Sequence, residues 1–260
     1  MESSGPRGRH LTEGLRASIV IPAYNEGEDI VAGLDRIFEA VHLDAEVLVV
    51  VDAPTDTTAP VVNRYAEHEP RLKLLINDYG RGPAYAIRYG IDHAASETVV
   101  VTMADGCDDP RQIDDLVRLV ERGVVVAAAS RYMPGGQQVG GPRLKTFLSK
   151  TAGLTLEAFT NAGTRDATNS FKAYNAAFVR EVGIHSEDGF EIGLELTAKA
   201  RRLRLPVAEI PTIWLDRTFG ESNFKLAKWI PKYLRWYRFA FGPKVDAAQV
   251  RALADKLHNP

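Results

Sequence analysis

One cysteine, Cys107, occurs in 260 residues, so an internal disulfide is excluded and the chain reads as one kept in a reducing compartment, the cytoplasm. No run reaches 18 uninterrupted apolar residues, and no apolar segment follows a basic one at the N-terminus, so neither a membrane-spanning helix nor a secretory leader is expected. Charge of one sign is missing as well. The 32 Lys and Arg against 34 Asp and Glu leave a net −2, which removes the global electrostatic attraction that nucleic-acid binding needs. Two phosphate-binding signatures are also absent: no G-x-G-x-x-G follows the first apolar run, and no G-x-x-x-x-G-K-[ST] occurs anywhere, which disfavours NAD and P-loop chemistry. What is present, 45% hydrophobic and 25% charged residues, is enough to build a core without disulfides or a structural metal.

The first 16 residues mix Ser, Gly, Pro, Arg and His without periodicity and read as a loose arm. Regular structure follows. β-rich runs fall at 18–22, 46–52, 72–76, 98–102 and 124–128, with helix-period segments between them; over 28–41, Ile30, Leu34, Ile37, Phe38 and Val41 recur every three or four residues. This βαβ alternation of nearly continuous apolar strands predicts an α/β fold with a mostly parallel central sheet flanked by helices. The later chain predicts a helix over 144–161, a strand near 170–174, a helix over 190–203, a strand over 207–215, a basic aromatic helix over 224–241 and a helical tail over 242–260. One domain over 17–241 is expected, with a nucleotide-binding half to about 130 and an acceptor half over about 131–223.

Ligands of such sheets bind outside the carboxyl ends of the strands. Those ends carry Pro22-Ala-Tyr-Asn-Glu26, Asp52-Ala-Pro-Thr-Asp56, Asn77-Asp-Tyr-Gly-Arg81 and Ala104-Asp-Gly-Cys-Asp-Asp109. Helix capping accounts for one such residue per helix, but here several carboxylates and an arginine converge on one crevice. Oxygen ligands suited to Mg²⁺ or Mn²⁺, beside arginines that grip phosphates, describe a site for a nucleoside diphosphate with its metal.

The residues together resemble inverting family 2 glycosyltransferases of the GT-A fold, most closely those that use dolichyl or polyprenyl phosphate. The likeness rests on Val20-Ile-Pro-Ala-Tyr-Asn-Glu26, Val-Val-Asp52, Asn77 with Gly80-Arg-Gly82, Ala104-Asp105, Ser130-Arg-Tyr132 before Pro-Gly-Gly, and Thr168-Asn-Ser-Phe-Lys-Ala-Tyr174. Gly189-Phe-Glu-Ile-Gly-Leu-Glu195, Glu209-Ile-Pro and Asp216-Arg-Thr-Phe-Gly-Glu-Ser222 continue it, so that it spans about Ala17 to Phe241. It implies a UDP- or GDP-sugar donor and a divalent cation. Pro22, Ala23, Tyr24 and Glu26 would shape the base and ribose pocket with Ala104, and Asp52 would bond the nucleobase. Arg81 would flank the nucleotide, Asp105 would ligate the metal, and Arg131 would line the sugar diphosphate. Ser170 and Lys172 would approach the sugar or acceptor, while Arg217, Ser222 and Lys225 would close over the phosphates.

Three positions depart from the family's pattern. Met103 stands where the metal turn commonly begins with Asp, Pro54 stiffens the turn after Asp52, and Asn223 replaces a lysine for which Lys225 is a substitute. Losing one carboxylate should weaken the metal, although Mg²⁺ needs only one or two together with the substrate's phosphates. A polyprenyl phosphate is ionised at neutral pH and needs no base, whereas a saccharide or metabolite hydroxyl does. Glu191 and Glu195, at i, i+4, and Asp108 are the base candidates; an exposed pair, or a partner for Lys199, is the other reading of the two glutamates. A third possibility, motivated by Met103, is a catalytically weak protein that binds nucleotide sugars. The 224–241 helix fits either peripheral attachment to a membrane or a small membrane subunit, or packing on the domain by its aromatic face. Cys107 and His185 are expected to carry no chemistry. Oligomeric state is open.

Overall fold

Strands form where the sequence is apolar on both alternating faces. β1 (Ala17–Pro22) and β2 (Ala45–Val51) are buried at every position and pair in parallel from Ala17↔Ala45 to Pro22↔Val50. The computed structural model describes residues 14–187, 189–216 and 226–258. β3 (Leu72–Ile76) adds in parallel outside β2, and β4 (Thr98–Val101) adds in parallel on the other side of β1. The crossovers are α1 (Ile30–Ala40), α2 (Thr58–Ala66) and α3 (Pro83–Asp92), and α4 (Ile113–Glu121) leads to β5 (Val126–Ser130). Next come β6 (Gln137–Val139), the long helix α5 (Arg143–Thr160), β7 (Lys172–Asn175) and α6 (Ala176–Val182). The chain continues through α7 (Ile192–Leu203), β8 (Val207–Pro211), β9 (Ile213–Leu215), α8 (Leu226–Ala240) and α9 (Ala247–His258).

The main sheet runs β3-β2-β1-β4-β7-β5-β8 and is parallel except for β7, which enters antiparallel between β4 and β5. Side chains alternate along each strand, so each strand contributes to two cores. Ile19, Ile21, Val47 and Val49 join Leu34, Val61 and Leu116 of α1, α2 and α4. Val20, Leu48 and Val50 join Ile87, Leu196, Trp236 and Val250 of α3, α7, α8 and α9 on the other side. Helix and sheet approach closely at Gly90, where a Cβ would stand 2.4 Å from a Val20 methyl.

Two details differ from the sequence reading. β5 starts two residues late because the Val124 amide closes the end of α4 on Leu119 O, and an apolar run alone sets no register. The 207–215 segment is two strands: beyond Pro211 the Thr212 amide bonds Ser130 O, and β9 then pairs with β6 in a separate small sheet. The aromatic helix packs on the domain by one face, with Trp236, Phe239 and Ala240 buried and the Trp236 indole N–H donating to Ser186 Oγ at 3.1 Å. Of the expected N-terminal arm, residues 1–13 lie outside the described ones, and Arg16 is fastened to Glu121 at 2.6 Å. Among the described residues no helix is long and apolar enough to cross a membrane.

Candidate active site

The carboxyl ends of β1 to β5 open on one edge of the sheet, and each turn there is held by a side chain that bonds backbone. After β1, Ala23 N reaches Val50 O and is buried, while Tyr24 stands 68% exposed at the rim. Asn25 adopts φ +53, a conformation that asparagine tolerates, and its amide donates to both Asp56 oxygens at 3.1 and 3.0 Å. Asp56 also accepts from Thr58 N at 2.8 Å, and Thr58 Oγ1 receives Glu26 N at 3.0 Å. Asp56 is therefore buried as a fastener of the 23–26 loop to the start of α2, and only Asp52 of that carboxylate pair remains near the crevice.

Asp52, half-buried, accepts from Asn77 Nδ2 at 2.9 Å and from Gly82 N at 2.8 Å. Asn77 Nδ2 also reaches Gly80 O, so one carboxylate and one amide fix the turn after β3. Arg81 projects from that turn, exposed, between Gly80 and Gly82, whose φ values of +153 and +116 only glycine adopts readily.

The turn after β4 is layered. Asp105 is half-buried and its Oδ1 accepts Cys107 N at 3.1 Å. Beneath it Asp108 is buried, taking the Thr102 hydroxyl at 2.9 Å and Met103 N at 3.3 Å through one oxygen. Burial first, and the neighbouring Asp105 charge second, push the Asp108 carboxyl up to about 7. Arg36 braces the same turn from α1 through Gly106 O and Asp108 O, and Asp109 is engaged by Arg111 at 2.7 Å. Ala104 is nearly buried and Cys107 is buried, consistent with a packing role for the thiol. Among the described residues no three His, Cys, Asp or Glu side chains converge as a ready-made metal cage. Asp105 alone suits an ion whose other ligands come from phosphates and water.

Arg131, just past β5, is gripped by a residue the sequence reading did not single out. Asp166 takes Arg131 Nε at 2.7 Å, Nη2 at 2.9 Å and the backbone amide at 3.0 Å. Burial works against both charges, but their mutual attraction prevails: the Asp166 carboxyl lies below its ordinary range and the Arg131 guanidinium above its own. No local sequence signal marks Asp166 as this partner, because 34 acidic residues compete for the role.

Two expectations are corrected here. Lys172 is fully buried under the 166–169 turn, donating to the carbonyls of Asp166, Ala167 and Asn169; burial brings its ammonium down to about 7. It therefore supports the turn from below and does not reach an acceptor. Glu195 is fully buried too, accepting His185 N at 2.7 Å and Ser186 N at 2.9 Å and pairing with Lys199. Burial opposes its charge, yet Lys199 and these bonds hold the carboxyl down to about 2, so it is a structural ion pair and no base. His185 completes that cluster through Lys199 and, at 3.0 Å, Asp255 of α9. Glu191 is buried before α7, close enough to Tyr233 of α8 that its charge adds to burial in raising the phenol. Ser170 is half-buried beside Ile87, Val101 and Gly193. Arg217, Ser222 and Lys225 lie outside the described residues.

A mostly parallel α/β sheet with this nucleotide-edge crevice, an acidic turn after β4 and a crossing antiparallel strand defines a GT-A-type nucleotide-sugar transferase. The glycosyl transferase family 2 profile matches residues 18–183, and the chain belongs to that family. It is 28% identical to the polyprenol monophosphomannose synthase of Mycolicibacterium smegmatis over 230 residues, 82% of this chain and 86% of that one. It is 29% identical to the undecaprenyl-phosphate mannosyltransferase of Micrococcus luteus over 215 residues, 80% and 87% of the two chains. Among solved structures, a mannosyltransferase of Pyrobaculum calidifontis in complex with GDP-Man and Mn²⁺ aligns with a TM-score of 0.59 at 22% identity, covering 94% of this chain and 70% of that one.

Proposed function

We propose that this glycosyltransferase moves a sugar, mannose foremost, from a nucleotide-sugar donor to a polyprenyl phosphate with inversion at the anomeric carbon. The observation that carries the reading is the likeness, over four-fifths of the chain, to two transferases named for polyprenyl phosphate acceptors. The burial of Glu195 in an ion pair adds support, since it withdraws a base that a hydroxyl acceptor would need and an ionised phosphate would not.

The 22–26 loop and Asp52 would hold the nucleoside of a UDP- or GDP-sugar, with Ala104 beneath it and Arg81 at the rim. Asp105 would hold Mg²⁺ or Mn²⁺, which when bound supplies positive charge to the diphosphate. Negative charge grows on the departing diphosphate as the transition state becomes oxocarbenium-like. Arg131, with Nε and Nη2 committed to Asp166, would offer Nη1 to that charge from a fixed position, so little reorganisation is needed during reaction. Arg217, Ser222 and Lys225 would close the phosphate end, and Ser170 would adjoin the acceptor. The lipid acceptor would place the enzyme on the cytoplasmic face of a membrane.

The test is nucleoside diphosphate release from UDP- and GDP-sugars with Mg²⁺ or Mn²⁺, with and without a short-chain polyprenyl phosphate. Release that requires the lipid phosphate is the expected result. Equal release with a free saccharide, abolished in Asp108→Asn or Glu191→Gln, would replace the reading with a hydroxyl acceptor.

A further inference from the structure

One peptide unit in the turn after β4 is held from both ends. Its N–H, that of Cys107, donates to Asp105 Oδ1 at 3.1 Å. Its carbonyl, Gly106 O, accepts from Arg36 Nη1 of α1 at 2.7 Å. A trans peptide is planar, with N–H and C=O pointing in opposite directions, so the arginine that fixes the carbonyl also fixes the aim of the amide. The second prong, Arg36 Nη2, reaches Asp108 O at 3.2 Å, and the guanidinium fork therefore straddles Cys107.

The local backbone gives that fork something to restrain. Gly106 stands at φ +67, and glycine passes between conformations of either hand at little cost. Rotation of the Gly106–Cys107 peptide would carry the amide away from Asp105 and bring a carbonyl toward the carboxylate instead. The arginine is presented from a fixed base. Ile30, Leu34 and Ile37 bury α1 in the core, and at Gly33, one turn before Arg36, a Cβ would stand only 3.7 Å from Ala104 O. Below, Asp108 closes the turn through the Thr102 hydroxyl and Met103 N.

We infer that Arg36 is a positioning residue for the divalent cation: it locks the Gly106–Cys107 peptide and through it sets the Asp105 carboxylate toward the ion. The inference rests on the reading that Asp105 holds the metal. Its consequence runs against simple electrostatics. Arg36 places a positive charge behind a cation site, so by charge alone its removal would tighten metal binding. By geometry its removal weakens binding, because a ligand whose orientation is no longer fixed from behind must be ordered by the ion itself. With Asp105 the carboxylate left at the crevice, the loss falls on one ligand.

The experiment is Mn²⁺ titration of the full chain by electron paramagnetic resonance, with UDP or GDP present. Arg36→Met should bind Mn²⁺ about ten-fold more weakly than the parent. Arg36→Lys keeps the charge but cannot fork across two carbonyls, and should lose nearly as much. Arg36 is exposed, so the thermal midpoint should fall by no more than about 5 °C; if Arg36→Met falls further, Arg36→Lys carries the comparison. Adding Arg36→Met to Asp105→Asn should weaken Mn²⁺ no further than Asp105→Asn alone, since one residue acts through the other. In turnover, the Mn²⁺ needed for half-maximal rate should rise about ten-fold while kcat at saturating Mn²⁺ stays within about three-fold of the parent, a split that general loosening of the fold would not give. Unchanged or tighter binding in Arg36→Met, parent-like binding in Arg36→Lys, or additive losses in the double variant would overturn the proposal. The Asp105 reading survives any of these as long as Asp105→Asn itself weakens the ion; an Asp105→Asn isotherm identical to the parent's removes both.

Discussion

Arg131 and Asp166 form a two-pronged ion pair, 2.7 and 2.9 Å, in which the carboxylate is fully buried and also accepts the arginine's own backbone amide. The pair joins the end of β5 to the turn before β7, two segments 35 residues apart, and leaves the arginine with one orientation. Asp166→Asn keeps the shape and removes the charge. Breaking one side of a buried pair costs about 3–5 kcal/mol of stability, so the urea midpoint should fall. Among molecules that remain folded, kcat should drop by about a hundredfold while the donor KM changes little, because a fixed charge acts chiefly in the transition state. A fall in stability with unchanged kcat would make Asp166 a purely structural residue.

Of the carboxylates in the turn after β4, Asp108 is buried and Asp109 is engaged by Arg111, which leaves Asp105 at the crevice, with Met103 two residues before it. Asp105→Asn should reduce Mn²⁺ affinity in the presence of nucleoside diphosphate by at least about ten-fold. Met103→Asp should tighten it. Mn²⁺ titration followed by electron paramagnetic resonance reads both, independently of turnover; identical isotherms for parent and Asp105→Asn would move the metal elsewhere.

Although burial opposes its charge, Lys199 and the His185 and Ser186 amides hold the Glu195 carboxyl down to about 2, below its ordinary 4.5. Its folded pKa is depressed, so the native state binds fewer protons than the unfolded state between these values, and stability rises with pH across that window. The contribution is present above about pH 4.5 and is lost as pH falls toward 2. Thermal melts from pH 6 to pH 2.5 should show this acid limb, and it should flatten in Glu195→Gln. Lys199→Met leaves the carboxylate buried without its cation and should cost about 3–5 kcal/mol near neutral pH.

Trp236 is 2% exposed and its indole N–H bonds Ser186. Trp236→Ala should therefore destabilise the fold by about 3–5 kcal/mol in urea titration.

Much of the frame was readable from local pattern. The runs over 18–22, 46–52, 72–76 and 98–102 became β1 to β4 within a residue at either end, because strands buried on both faces must be apolar throughout. Their carboxyl ends, and so the crevice with Asp52 and Asp105, followed from the topology of parallel sheets. The break at Thr212 was not readable, since two strands of similar hydropathy differ only in which neighbour each one pairs with.

Side-chain allegiance was the harder matter. Lys172 read from sequence as a group that would approach the sugar or acceptor, and Glu195 as either a base or a partner for Lys199; both are buried, and Glu195 takes the Lys199 pairing. Hydropathy in the sequence determined the layers of this protein and the edge where the candidate site sits, and the order of its motifs carried the resemblance to its family. Which carboxylates stay in the crevice and which arginine is held for use were decided only in the tertiary structure. A periodic pattern marks a face, but the partner of that face, or of a buried charge, lies dozens of residues away and is chosen by packing.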